Sequence, residues 1–192
     1  VDLRESLAQS VNTYYLSLAL DLGIDRFHSY LSRFGFGQLT GIDLNAEAVG
    51  VLPSREWKQQ RFNQAWFPGE TALAGIGQGY NVVTPLQLGY ATAILAAGGV
   101  GHPPRLLKST RAAHDAAPQA ASRPPALTGL VDDPTHLLAI NEGLVAVLHG
   151  PTGTARAVGN GSPYRLAGKT GTAQTFGLRG GTYRENEVSR RL

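Results

Sequence analysis

Two dipeptides in which a capping residue precedes proline, Thr84-Pro85 and Asp133-Pro134, constrain the course of this chain more than any other feature. Proline at the first helical position gives up an N–H that would have no partner there, and its φ is already helical. The threonine or aspartate before it offers an oxygen to the free amides of the first turn. The pattern predicts a helix from Pro85 to about Ala97, stopped by Gly98-Gly99, and a second from Pro134 to about His149. Leu86, Tyr90, Ala93, Ile94 and Ala97 give the first an inward stripe, and Leu137, Ile140, Leu144, Val145 and Leu148 give the second one.

The rest of the chain reads as mainly helical with one clear strand. Residues 2–9 resemble the end of a helix, and the chain breaks at Ser10 to Asn12. From Thr13 to Leu22, apolar residues at Tyr14, Leu18 and Leu22 repeat every four positions, and Gly23 ends that helix. Asp25 to Phe34 forms another, closed by Gly35. Residues 36–52 are turn-rich, with a short extended piece at Gly41 to Leu44, and Ser54 caps a short helix carrying Trp57. Arg105 to Ser109 is extended, residues 111–126 form a surface loop rich in Ala, Pro, Ser and Arg, and Tyr164 to Ala173 is the strand. Gly177 to Gly181 turns into a polar tail.

Composition narrows the function classes. Of 192 residues, 42% are apolar and 16% charged, enough for a packed core in one domain, or a large piece of one, over residues 1–192. No apolar run approaches the ~18 residues that span a bilayer, and no secretory leader opens the chain. The absence of Cys excludes disulfides and thiolate metal sites, and the 5 His lack metal spacing, so no metal or other cofactor is expected. The net charge is +3, and its one basic cluster, Arg179, Arg184, Arg190 and Arg191, reads as a solvated loop. Without a basic stripe and aromatic platforms, nucleic-acid binding is not expected. Gly75 to Tyr80 is glycine-rich but lacks the lysine of a phosphate loop.

Chemistry concentrates in two short motifs. Lys169-Thr170-Gly171-Thr172 sets a point charge and two hydroxyls around a residue with no side chain. That combination suits an edge that holds a carboxylate while another backbone lies alongside; it also suits a surface turn leaving a strand. Ser10-Val11-Asn12 precedes a helical pattern and fits either helix capping or catalysis. By chance, Lys-Thr-Gly is expected only about 0.05 times in a chain of this length and Ser-x-Asn in roughly one such chain in two, so the lysine motif carries the weight.

These motifs resemble two of the three that mark penicillin-recognising serine enzymes; the third, Ser-x-x-Lys, does not occur. The resemblance extends through Asp21 to Arg26, Phe34 to Gly37, Thr40 to Leu44, Pro53 to Lys58, Gly75 to Tyr80, Thr84 to Leu88, Gly153-Thr154-Ala155 and Gly168 to Gln174. Together they are similar to the class B penicillin-binding proteins. The Arg55-Glu56-Trp57-Lys58 segment and the run from Thr172 to Leu178 point to the elongation-specific, penicillin-binding protein 2 type rather than the division-specific one.

The resemblance implies an α/β (α+β) transpeptidase fold, an antiparallel sheet flanked by helices, of which this chain is a mainly helical part. With Val1 first and no Met, the chain is expected to be a piece of a longer enzyme that supplies the nucleophilic serine, the missing strands and a membrane anchor. It implies D,D-transpeptidation of peptidoglycan stem peptides through an acyl-serine intermediate, on the periplasmic face of the bacterial inner membrane, with β-lactam antibiotics as inhibitors. A lipid-linked glycan polymerase and rod-shape scaffold proteins are the implied partners. Ser10, Asn12 and Lys169 are the implied catalytic residues, and Thr170, Gly171 and Thr172 the implied substrate-binding ones. A β-lactamase or D,D-carboxypeptidase of the same fold, or a scaffold module that binds penicillin without turnover, fits the same motifs.

Overall fold

A computed structural model describes residues 1–112 and 117–172. In chain order the elements are α1 (Leu3–Gln9), α2 (Asn12–Ser32), α3 (Arg55–Phe62), α4 (Pro68–Gly75), α5 (Pro85–Ala96), β1 (Ser109–Thr110), β2 (Gln119–Ala120), α6 (Pro134–His149) and α7 (Arg156–Gly159). The terminal arginine cluster, the turn at Gly177 to Gly181 and Ala173 lie outside the described residues.

The two proline-led helices start where the capping pattern puts them. Thr84 accepts from the Gln87 N–H, and the Gln87 side chain accepts from the Thr84 N–H, a reciprocal cap. Asp133 accepts from the Thr135 N–H at 2.8 Å. The buried face of α5 differs from the expected stripe. Tyr90 and Ile94 are buried and Leu86 is half-buried, but Ala93 and Ala97 are exposed, and Gln87 and Ala91 take their places. Gln87 is fully buried because its amide donates to the carbonyls of Gln38 and Val49 at 2.7 and 2.8 Å, a long-range use that periodicity does not encode. On α6, Leu148 is buried and the other four expected residues are half-buried.

The break expected at Gly23 is present: its backbone leaves helical geometry (φ 71°, ψ 159°) and divides α2 into two helical segments that meet at a kink. Helices pack where glycine admits a neighbour. A side chain at Gly75 would put Cβ 2.4 Å from the Ala19 Cβ, and one at Gly143 would meet Leu7 at 2.4 Å. These contacts seat α4 on α2 and α6 on α1. A second core gathers Phe34, Tyr90, Ala91, Ile94 and Leu130. Lys58 is 1% exposed; it pairs with Glu70 and lies 4.6 Å from the Phe67 ring centroid, so its charge is buried with a partner.

Among the described residues, regular pairing is confined to the antiparallel pair β1–β2, with two isolated bridges, Val51–Val82 and Gly101–Leu127. Strand β2 falls inside the stretch expected to be loop. The expected extended piece at Gly41 to Leu44 forms no ladder, and Leu44 instead turns back to donate to the Ile42 carbonyl at 2.7 Å. The expected strand from Tyr164 is also irregular over its described residues. A strand requires a hydrogen-bonded neighbour, and no described segment runs alongside this one. It is held on α6 instead, where the Gly168 N–H donates to the Leu144 carbonyl at 3.2 Å and the Leu166 N–H to His149 Nε2 at 3.0 Å.

Candidate active site

The site begins at the corner between α1 and α2. The Val11 N–H donates to the Ser6 carbonyl at 3.0 Å and the Ser10 N–H to the Leu7 carbonyl at 3.3 Å, the paired bonds of a Schellman motif. That motif needs a left-handed residue, usually glycine, and here it is Ser10 (φ 56°, ψ 51°). The corner is braced from beneath by the buried Ser6 hydroxyl, which lies 3.0 Å from the Tyr15 hydroxyl. Burial pushes the Tyr15 phenol above its ordinary value, more than the Ser6 bond lowers it, so it stays protonated.

Neither Ser10 nor Asn12 caps α2 with its side chain. Val11 occupies the N-cap without a side-chain bond, and Asn12 is the first helical residue, exposed. The Ser10 hydroxyl is used elsewhere. It accepts a 2.7 Å hydrogen bond from Lys169 Nζ, 159 residues along the chain. Lys169 also donates to the carbonyl and the hydroxyl of Thr170, each at 3.1 Å. The Thr170 hydroxyl in turn lies 3.1 Å from the Thr154 hydroxyl.

The lysine therefore spends its donors on neutral oxygens. Among the described residues no carboxylate is paired with it. Partial burial pulls its pKa below the usual lysine value. Its charge remains available to an anion entering the site. Because Ser10 Oγ accepts from the ammonium, the one hydroxyl proton of Ser10 is free to point towards another group.

The structure brings Ser10, Lys169 and Thr170 into one hydrogen-bonded cluster. Gly171 is exposed, and a Cβ there would find nothing within 4 Å, so the space beside this backbone is open. Thr172 is fixed through its carbonyl, which accepts from Gln78 Nε2 at 3.1 Å. Asn12 stands two residues from Ser10 at the start of α2, and no side-chain bond joins it to the lysine cluster.

Sequence reasoning named Thr154 and Gln78 only within the resembling runs Gly153-Thr154-Ala155 and Gly75 to Tyr80, the latter expected either to line the cleft wall or to pack as a glycine-rich loop, and gave neither residue a role of its own. Thr154 sits just before α7, where its N–H donates to the Ala8 carbonyl at 3.0 Å and ties the loop after α6 to α1. Both residues lie in small, glycine-containing runs, Gly153-Thr154-Ala155 and Gly77-Gln78-Gly79, and that was their only local signal.

Comparison with known proteins gives this geometry a context. Residues 1–190 match the family described as "Penicillin binding protein transpeptidase domain". The chain is 38% identical over 193 residues to the peptidoglycan D,D-transpeptidase MrdA of Escherichia coli K12, covering 100% of this chain and 30% of that protein. It superposes with a TM-score of 0.81 and 43% identity on PBP2 of Pseudomonas aeruginosa in complex with WCK 5153, covering 91% of this chain and 39% of that one. PBP2 of Helicobacter pylori in complex with MreC gives a TM-score of 0.78 at 32% identity, covering 91% of this chain and 31% of that one.

Proposed function

We propose, since this chain belongs to the penicillin-binding protein transpeptidase family and has its fold, that it forms the proton-transfer and carboxylate-binding side of a peptidoglycan D,D-transpeptidase active in cell elongation. The chain spans 30% of the length of its Escherichia coli relative and contains no Ser-x-x-Lys, so this reading takes the attacking serine from outside these 192 residues.

The reaction is acyl transfer in two steps. The serine oxygen attacks the carbonyl between two D-alanines, the C–N bond breaks, and D-alanine leaves with a proton on its nitrogen. An amine of a second stem peptide then attacks the ester, forms the cross-link and frees the serine. Ser10 passes the proton to the leaving nitrogen, a step suited to a hydroxyl whose oxygen already accepts from Lys169. Lys169 supplies positive potential for the substrate's terminal carboxylate, and the Thr170 and Thr172 hydroxyls hydrogen-bond that carboxylate. Asn12 holds a substrate amide. The Thr172 N–H serves as one oxyanion donor, and the open side of Gly171 lets the peptide backbone approach. A β-lactam that mimics the D-alanyl end acylates the same serine.

The observation that carries this reading is the 2.7 Å bond between Lys169 and Ser10, which joins the two motifs across the chain. The activity belongs on the periplasmic face of the inner membrane, where the substrate is. Among the described residues no helix is long and apolar enough to cross a membrane. The Helicobacter pylori complex with MreC supports a rod-shape scaffold protein as a partner here too. A lipid-linked glycan polymerase is the partner that supplies the strands to be joined.

In the complete enzyme, Lys169→Ala slows labelling by fluorescent penicillin by about a hundredfold or more and leaves the thermal midpoint near that of wild type. Acylation at the wild-type rate would make Lys169 a surface residue and remove the site. Release of D-alanine together with cross-linked dimer separates transpeptidation from hydrolysis, which yields D-alanine or opened β-lactam without the dimer.

A further inference from the structure

The connection between α4 and α5 is built around one side chain. Gly77 and Gly79 both adopt φ 73°, a conformation open to glycine, and turn the chain on either side of Gln78. The Gln78 N–H donates to the Leu73 carbonyl at 3.0 Å, and the Gln78 carbonyl accepts from Asn81 Nδ2 at 3.3 Å. Asn81 also donates to the Ala74 carbonyl at 3.1 Å, so the turn is locked to the last turn of α4. The Gln78 backbone is thus held from both sides, and its half-buried side chain is left to project. It reaches the Thr172 carbonyl, 94 residues later, at 3.1 Å.

This contact fixes one end of the motif whose other end is fixed by Ser10. Lys169 is tied to the start of α2 through Ser10 Oγ, and Thr172 is tied to the end of α4 through Gln78. Both anchors stand on one body, because α4 is seated on α2 through the close Gly75–Ala19 approach. Between the anchors, Gly171 has open space beside it. Among the described residues the motif forms no ladder, and Gln78 is the side chain whose bond restrains the backbone at Thr172.

We propose that Gln78 is a positioning residue for acylation: its carboxamide holds the Thr172 carbonyl and so restrains the Thr172 backbone, keeping the Thr172 N–H pointed at the developing oxyanion. This rests on the transpeptidase reading above. The Gln78 amide acts through Thr172 and does not itself take part in bond making. Its effect falls on the rate of the chemical step and not on ground-state affinity, since misdirection of a donor matters most where charge develops.

The test uses the complete enzyme and a chromogenic β-lactam, with acylation resolved into an apparent dissociation constant and a limiting rate constant. Wild type is measured first; if it is not acylated, the transpeptidase reading fails and the Gln78 variants are not the cause. With wild type acylated, Gln78→Ala lowers the limiting rate constant on the order of ten- to a hundredfold, with the dissociation constant and thermal midpoint nearly unchanged. Gln78→Glu matches the alanine variant at about pH 8, where a carboxylate cannot donate to a carbonyl. Relative to wild type at each pH, it recovers as the pH falls to about 5 and the carboxyl gains a proton to donate. The alanine variant's ratio to wild type stays flat over that range. An unchanged limiting rate constant in Gln78→Ala, a faster one, or a Gln78→Glu ratio that does not depend on pH overturns the assignment.

Discussion

Ser10 holds a left-handed backbone conformation that costs an L-residue about 1–2 kcal/mol, in a motif that glycine fills without strain. The cost is borne at a residue whose hydroxyl meets Lys169 from 159 positions away, as expected where a side chain must be presented rather than buried. Ser10→Gly and Ser10→Ala therefore part company. Both lose the hydroxyl and acylate slowly, but the glycine variant sheds the strain and keeps or gains up to about 1 kcal/mol of stability, while the alanine variant keeps the strain and loses about 1 kcal/mol with the bond. Urea midpoints ranking alanine above glycine would show that the corner is unstrained. The Ser-x-Asn triplet was visible in the sequence, but its left-handed geometry was not, because that follows from backbone bonds to Ser6 and Leu7. Nor did spacing alone say that the partner of Ser10 lies 159 residues on; only the family resemblance connected them.

At the scale of elements, what was legible is what is local. Thr84-Pro85 and Asp133-Pro134 start helices because cap and proline act within one turn. The face of α5 was misjudged because Gln87 earns its burial from carbonyls far along the chain, at Gln38 and Val49. The lysine segment reads as a strand from its residues, yet a strand is a relation between segments, and this one lacks a described neighbour. Glycines separate into two kinds on the same helix. Gly75 faces Ala19 and the Tyr15 carbonyl, where a Cβ would stand 2.4 and 2.9 Å away, whereas Gly69 has nothing within 4 Å. Gly75→Ala is expected to destabilise by roughly 1–3 kcal/mol through overpacking. It also slows acylation, because α4 carries Gln78 away from Thr172. Gly69→Ala is neutral or stabilising by up to about 1 kcal/mol from helix propensity, with acylation unchanged. Paired denaturant and acylation measurements check both; equal behaviour of the two variants would mean that α4 does not bear closely on α2.

Across the whole molecule, much of the chain between helices is irregular, and carboxylates bonded to distant groups bind it together. Asp132 makes a two-point contact with Arg33, whose guanidinium also donates to the Gly129 carbonyl at 2.6 Å. Glu47 accepts from the Thr40 hydroxyl and N–H and from the Gly41 N–H. Asp43 accepts from the backbone N–H groups of Leu106 and Leu107, each at 2.6 Å, joining the turn-rich stretch after α2 to the segment before β1. Those two N–H groups hold the Asp43 carboxyl below the ordinary aspartate range, and they favour only its ionised form. The folded chain thus binds this proton less readily than the unfolded chain, and the slope of stability with pH is positive while Asp43 titrates. Its contribution is complete above the unfolded value of about 4 and disappears as the pH falls through the lower, folded one. Asp43→Asn keeps the shape and loses the charge, so wild type has the higher urea midpoint at pH 7, and the gap closes as the pH drops below about 4. A gap that persists undiminished in acid would assign the effect to shape rather than charge. Partial burial of Lys169 lowers its pKa too, so the slope of stability with pH is again positive near its own titration; here the charged form present at neutral pH is the disfavoured one, a cost carried at the residue proposed to face the substrate.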